Sequence, residues 1–400
     1  MGLLCGDVPV LVRNEPGRRT TAIAIGLGFG GRHDRRGTAH MLEHLLMAAP
    51  LGDGPSLSER IERLGGECNA TTAPGSLVLH ARVLTEDAAQ IAALMCQALL
   101  RPALSQAALD AERRVVLQEL AAATADPADT VQETFLAELF HGHPLGSAVG
   151  GTPEGIESLT VQAVRDAHAR ALSTHPLSVS CVGGLTAETL LPALEEAGLA
   201  DLRRAGTAAA PQPAPGPVSP TAPAHWPTEF CWLMVGGRAP RADDPDSPAY
   251  TVLSHLLGSS PASLLYDQLR NERGLAYSFH TWSRSYKDSG AWRMLVGCEP
   301  ANAPEVLDII RQLLRTVAQD GPRESDLASA VRLAGFEVVT TAEDPLEHAT
   351  KLVEWQTLTG RPWDPADELE ALRQVRADQV AAAAAELSDG LVAVVRPEAS

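Results

Sequence analysis

Two histidines four residues apart, His40 and His44, with Glu43 between them, are the side chains of this sequence best placed for chemistry. On a helix, positions i and i+4 lie one turn apart on the same face, so both imidazoles would point the same way. Two neutral imidazoles plus one further protein ligand make a zinc site with an open position, which is what hydrolysis requires. Glu43 follows His40 by three residues, close enough to reach water held by that pair. The order His-x-x-Glu-His inverts the more common zinc-protease signature. An apolar helix carrying two histidines by accident is the competing reading, and a third ligand must decide between them.

A second helix offers that ligand. Leu109 to Leu120 sets Glu112 and Glu119 seven residues, or two turns, apart on one face. Taken alone, both are exposed acids on an amphipathic helix. Taken with His40 and His44, a carboxylate from this helix completes a His₂Glu set around zinc, and Glu112 would orient a ligand or the water from behind. His141-Gly142-His143 has the look of a metal pair but reads better as a loop turn with one packing histidine.

The elements that must carry these residues can be traced from the sequence. Val8 to Arg13 and Thr20 to Gly28 read as strands with a turn at Pro16-Gly17. The second leads through Phe29-Gly30-Gly31 into the metal helix, whose Ala39, Leu42, Leu45 and Leu46 face inward. A helix over residues 56–64 stops at Gly65-Gly66, and strands over 67–72 and 76–81 flank the turn Ala73-Pro74-Gly75. Helices are expected over 86–100, over 105–124 with a stop at Asp126-Pro127, and over 129–140. The half closes with a helix over 161–172, a strand over 177–182 and a helix over 187–197.

Between Arg204 and Pro227 the composition turns to Ala and Pro, which forms neither helix nor inner strand. This divides the chain into residues 1–204, carrying the metal motif, a linker over 205–227, and residues 228–400. The halves look related. Leu42-Glu43-His44-Leu45-Leu46 answers to Leu253-Ser254-His255-Leu256-Leu257, and Gly65 and Gly274 each end a helix about 20 residues later, before a strand. Thr251 and Ser254 stand where His40 and Glu43 stand in the first copy, so His255 is expected to be a core or capping histidine.

Composition narrows the partners. The 400 residues are 45% hydrophobic and 20% charged, ordinary for a globular protein of two or more domains. A net charge of −18 argues against nucleic acid or an anionic membrane as partner. It could favour cationic peptides, but a solvated acidic surface that keeps the protein soluble is the better explanation. Lysine is confined to Lys287 and Lys351, a bias typical of a GC-rich bacterial genome. The six cysteines form no Cys-x-x-Cys pair and read as buried free thiols of a reducing compartment. The start, Met1 to Asp7, has no signal-peptide pattern, and Gly6 occupies the position where myristoylation needs Ser or Thr. No run of about 18 apolar residues is present. A bacterial cytoplasmic location is the expectation.

Several segments together resemble the pitrilysin/insulinase-type zinc peptidases, in particular their mitochondrial-processing-peptidase-like branch. Gly37-Thr38-Ala39-His40-Met41-Leu42-Glu43-His44 looks like the family's Gly-x-Ala-His-x-x-Glu-His. Glu119 lies where the family places its third ligand, and Glu112 matches the acid seven residues before it. Asn69-Ala70-Thr71-Thr72 is similar to the family's Asn-Ala-Tyr-Thr strand, with Thr71 in place of Tyr. His143-Pro144-Leu145-Gly146 and Gly151-Thr152-Pro153-Glu154 also follow its pattern, and Leu269 to Ser278 looks like Leu-Arg-x-x-x-Gly-Leu-x-Tyr, giving Arg270 and Tyr277.

The resemblance implies an α+β fold of two related domains, each a mixed, mostly antiparallel sheet covered by helices, together forming half of a clamshell. It implies one Zn²⁺ per chain on His40, His44 and Glu119, with Glu43 as general base. Arg270 and Tyr277 would act on substrate from the second domain, and Asn69 to Thr72 would form an edge strand to which an extended peptide adds. It also implies a homodimer, or a heterodimer with a homologous subunit lacking the zinc set. A dedicated leader-peptide maturation protease and a non-catalytic scaffold subunit are the alternatives within the same family.

Overall fold

The computed structural model of the protein describes residues 3–34, 36–202, 214–258 and 260–398. In chain order, the elements of the first half are β1 (Leu3–Cys5), β2 (Val8–Asn14), β3 (Thr20–Leu27), α1 (Thr38–Ala48), α2 (Leu57–Arg63), β4 (Glu67–Thr72), β5 (Leu77–Leu84), α3 (Ala88–Leu100), α4 (Gln106–Ala125), α5 (Pro127–Leu139), α6 (Pro153–Ser158), α7 (Val161–Thr174), β6 (Leu177–Gly183) and α8 (Ala187–Glu196). The second half contains β7 (Cys231–Ala239), α9 (Ser247–Leu257), β8 (Ala276–Ser285), β9 (Gly290–Cys298), α10 (Ala303–Asp320), α11 (Glu324–Glu343), α12 (Pro345–Thr359), α13 (Pro365–Arg373), α14 (Ala377–Asp389) and β10 (Val392–Arg396). The fold is α+β with two sheets, as expected. Among the described residues no helix is long and apolar enough to cross a membrane.

Two compact units arise, and neither is a single stretch of chain. One comprises Met1–Ala121, Ser147–Pro211 and Thr341–Trp363; the other comprises Ala122–Gly146, Gln212–Thr340 and Asp364–Ser400. Each half of the sequence therefore lends one helix to the other half's sheet: α5 belongs to the second unit and α12 to the first. The hand-over is marked identically in both. Asp126 and Asp344 each cap the N-terminus of the lent helix through a carboxylate, with Pro at its first turn and backbone N–H donors 2.8 Å away at Ala128 and Leu346. The Ala/Pro-rich stretch falls partly outside the described residues. Of its described part, Thr221 bridges to Val392 and Gly216 accepts a hydrogen bond from Arg238, both in the second unit.

The first sheet runs β1-β2-β6-β3-β5-β4. β2 and β3, joined by the turn at Pro16-Gly17, do not pair; β6 lies between them, parallel to β2 and antiparallel to β3. Every residue of β6 is buried, which suits the centre of a sheet covered on both faces. Alternation along β3 explains the two covers. Ile23, Ile25 and Leu27 join Met41, Leu42 and Leu45 of α1 and Ile91 and Met95 of α3 in one apolar core. The opposite face of β3 is small, with Ala22, Ala24 and Gly26, and there α12 approaches closely enough that a Cβ on Gly26 would stand 2.8 Å from Val353 Cβ. Ser180 of β6 donates to the Ala349 carbonyl of the same helix at 2.7 Å.

The second sheet, β10-β7-β9-β8, is wholly antiparallel rather than mixed. On one face α5 buries Val131, Phe135 and Leu139 against Met234, Ala291, Val392 and Val394. Gly236 makes room for Phe135, whose Cζ would lie 2.9 Å from a Cβ at that position.

Candidate metal centre

The metal helix starts at a position only glycine fills comfortably. Gly37 precedes α1 at φ +83°, and a Cβ there would meet the Gly150 carbonyl oxygen at 2.3 Å. Asp34 fixes the approach by accepting from the Arg36 backbone and side chain and, at 2.8 Å, from the Thr38 hydroxyl. Burial alone would raise the Asp34 pKa, but these hydrogen bonds and the Arg36 charge outweigh it and hold the carboxyl below its usual range. Ala39, Met41, Leu42, Leu45 and Leu46 are buried, which leaves His40, Glu43 and His44 on the half-buried side of α1.

His40, His44 and Glu119 come together. The two imidazole Nε2 atoms are 3.3 Å apart, and Glu119 Oε2 lies 3.2 Å from His44 Nε2 and 3.6 Å from His40 Nε2. Ligand atoms on a tetrahedron with bonds of about 2.0–2.1 Å stand roughly 3.3–3.4 Å from one another. The three separations bracket that value, so the donor set fits zinc in size as well as in kind. Among the described residues this is the one group of three such side chains close enough to hold a metal ion.

The surroundings favour the ligand forms. Burial and the neighbouring His44 push the His40 imidazole below its usual pKa, toward the neutral ring that a metal needs. His40 Nδ1 is buried without a well-formed hydrogen bond, and the Gly150 backbone is its polar neighbour. Any Cβ on Gly150 would stand 3.5 Å from that nitrogen. His44 is held from behind by Glu112 Oε2, 3.2 Å from Nδ1, which leaves Nε2 as the ligand atom.

Glu43 stays out of the ligand group. Its Oε2 accepts a hydrogen bond from the Thr72 hydroxyl at 2.5 Å, tying the metal helix to the last residue of β4. No pattern in the sequence marked this pairing, because the residues are 29 apart and a threonine at a strand end has many uses. Among the described residues β4 pairs only with β5 and is an edge strand, with Asn69 and Thr71 exposed, Ala70 buried and Thr72 half-buried.

Arg270 and Tyr277 belong to the second unit and lie together. The Arg270 guanidinium sits 4.2 Å from the centre of the Tyr277 ring and 5.1 Å from that of Tyr266. Tyr277 is 78% exposed, an unusual state for a large aromatic ring. His255 is half-buried in the last turn of α9, not in the core, with Nε2 3.1 Å from Glu337 Oε2. Ser254, at the place of Glu43, is buried and donates back to the Tyr250 carbonyl. His143 packs in the interior and accepts from the Leu145 N–H, while His141 is exposed.

Two histidines and a glutamate at zinc spacing, with the Glu43 carboxylate beside them on an α+β scaffold, match the ligand pattern of the inverted zinc-peptidase motif. Residues 9–153 match the family model described as insulinase (peptidase family M16), and residues 158–333 match that of the peptidase M16 inactive domain. The chain belongs to the M16, or insulinase-type, peptidase family. It is 28% identical over 392 residues to an uncharacterized zinc protease of Mycobacterium leprae, covering 96% of this chain and 88% of that one. It is 22% identical over 311 residues to the beta subunit of the mitochondrial-processing peptidase of Bos taurus, covering 74% and 64%. In fold it is similar to a protease from Helicobacter pylori, at TM-score 0.87 and 18% identity over 99% of this chain and 98% of that one. A peptidase M16 inactive domain structure from Pseudomonas fluorescens gives TM-score 0.86 at 17% identity, covering 100% and 99%.

Proposed function

We propose that the protein is a zinc-dependent endopeptidase that hydrolyses extended peptides. The observation that carries this reading is the spacing of His40, His44 and Glu119 with Glu43 held off the ligand group by Thr72. His40, His44 and Glu119 would hold a zinc ion, which would supply an acidified water and a Lewis acid for the substrate carbonyl. Glu43 takes the proton of the attacking water and returns it to the departing amine. Thr72, by donating to Oε2 of Glu43, fixes the carboxylate's rotamer and leaves Oε1 for that water. Glu112 keeps the His44 ring in one tautomer and one orientation.

An extended substrate adds to the open edge of β4, where backbone groups of Asn69 to Thr72 supply the pairing. Such pairing reads shape more than side chains and favours broad specificity. Arg270 and Tyr277 supply a cation and a phenol for the substrate's carbonyls. The retained ligand set and base speak against a scaffold subunit without activity. A homodimer, with Arg270 and Tyr277 of one protomer serving the zinc of its partner, is the assembly we favour; a heterodimer with a homologous subunit is the second choice. A leader-peptide maturation protease would use the same chemistry on one precursor. Purified protein should carry one zinc per chain and cleave an unstructured peptide library. Glu43→Gln should retain the metal and lose cleavage by about 10²–10⁴-fold; full activity in that variant would sink the assignment.

A further inference from the structure

The second sheet holds a pair of thiols that the peptidase reading does not use. Cys231 opens β7 and Cys298 closes β9, and the antiparallel register sets them directly opposite one another. Cross-strand partners have Cα atoms about 4.5–5.5 Å apart, inside the window of about 4.4–6.8 Å that a disulfide requires. Both side chains are buried, at 0% and 2% exposure, and Cys231 Sγ lies 3.6 Å from the Cys298 carbonyl oxygen.

The Cys231 thiol donates to the Cys298 carbonyl, and each thiol perturbs the other, so whichever ionises first is the nucleophile and its neighbour the resolving thiol. Burial raises the pKa of Cys5, Cys68, Cys96 and Cys181, and no strand register pairs any of them with another cysteine. The pair sits at strand ends beside Phe230, which is exposed, so local fraying is enough to admit a small oxidant.

What lies across from Cys298 gives the pair its interest. Ala276 of β8 pairs with Cys298 and Ser278 pairs with Gly297, so Tyr277 is the extra residue of a β-bulge at this point. The bulge is what presents the exposed phenol.

We propose that Cys231 and Cys298 are a redox-responsive dithiol whose disulfide, formed with a peroxide as oxidant, resets the bulge that carries Tyr277. The thiolate of one cysteine of the pair attacks a peroxide oxygen, giving a sulfenic acid and releasing hydroxide. The sulfur of the other then displaces the sulfenic oxygen as water while giving up its proton. Two thiols lose two protons and two electrons, and hydrogen peroxide is reduced to two waters. The effect on peptide binding rests on the reading of Tyr277 as a substrate residue; the cross-link itself does not.

The test uses the full chain treated with hydrogen peroxide, unfolded, alkylated and digested without reductant. A peptide linking Cys231 to Cys298 is expected, reversible by dithiothreitol and absent in Cys298→Ala, with Cys5, Cys96 and Cys181 alkylated. Cys231→Ser serves as the second variant should either one fold poorly. Recovery of both thiols as free, or of sulfinic acid without the link, overturns the proposal. Nitration of Tyr277, read by mass, should change several-fold on oxidation and stay constant in Cys231→Ser; this reports the bulge whether or not peptides are cleaved. For a cleaved peptide, KM should move in step with nitration. A linked protein with unchanged nitration defeats the coupling to Tyr277.

Discussion

At the scale of single residues, the candidate site depends on groups outside the His40, His44 and Glu119 set. Glu112 Oε2 stands 3.2 Å from His44 Nδ1 and sets which nitrogen is free to bind. Glu112→Gln should weaken metal binding by about 10–100-fold, read by competition with a chelator, because second-sphere carboxylates of this kind typically carry that much. Asp34 organises the start of α1 and titrates below its usual range. A depressed carboxylate adds stability that is present above its unfolded pKa of about 3.9 and is lost as pH falls through the folded value. The wild type should therefore melt above Asp34→Ala at neutral pH, with the gap shrinking below about pH 4. A gap that widens in acid would contradict the hydrogen bonds seen at Asp34.

At the scale of elements, much was legible in the sequence. The ends of α2 and α4 follow from the Gly65-Gly66 stop and the Asp126-Pro127 break, local signals with local causes. Glu119 was legible only once His40 and His44 had been recognised, since an exposed glutamate on an amphipathic helix carries no mark of its own. Three features were not legible. Alternation shows that β2, β3 and β6 are strands but not that β6 inserts between the other two. Amphipathicity shows that α5 and α12 each have an apolar face but not which sheet receives it. The Thr72–Glu43 contact joins segments by tertiary packing alone. For α5 the packing is specific, because Phe135 fills the space that Gly236 leaves on β7. Phe135→Ala should cost about 3–5 kcal/mol in denaturant unfolding, as expected for a fully buried ring. A cost under about 1 kcal/mol would mean that the ring is not held there.

At the scale of the molecule, the two units divide the work unevenly. The first holds His40, His44, Glu119 and the proposed base Glu43, whereas the second holds Arg270 and Tyr277 and has Ser254 and His255 where a second zinc motif would stand. Such a division is what the proposed two-chain assembly would use. Mixing Glu43→Gln chains with Tyr277→Phe chains should restore part of the activity lost in each, provided that sites form between protomers. Absence of any rescue, with both variants folded, would remove the trans arrangement and leave each chain to serve its own zinc.

The crossing of α5 and α12 between the units also sets the order in which the protein can be finished at the ribosome. β6 completes the first sheet at Gly183, but the helix that covers its Ala22, Ala24 and Gly26 side ends only at Thr359. At typical synthesis rates the nascent N-terminal sheet waits on the order of ten seconds for its second cover. The half that carries the His40, His44 and Glu119 set is therefore the first made and among the last sealed.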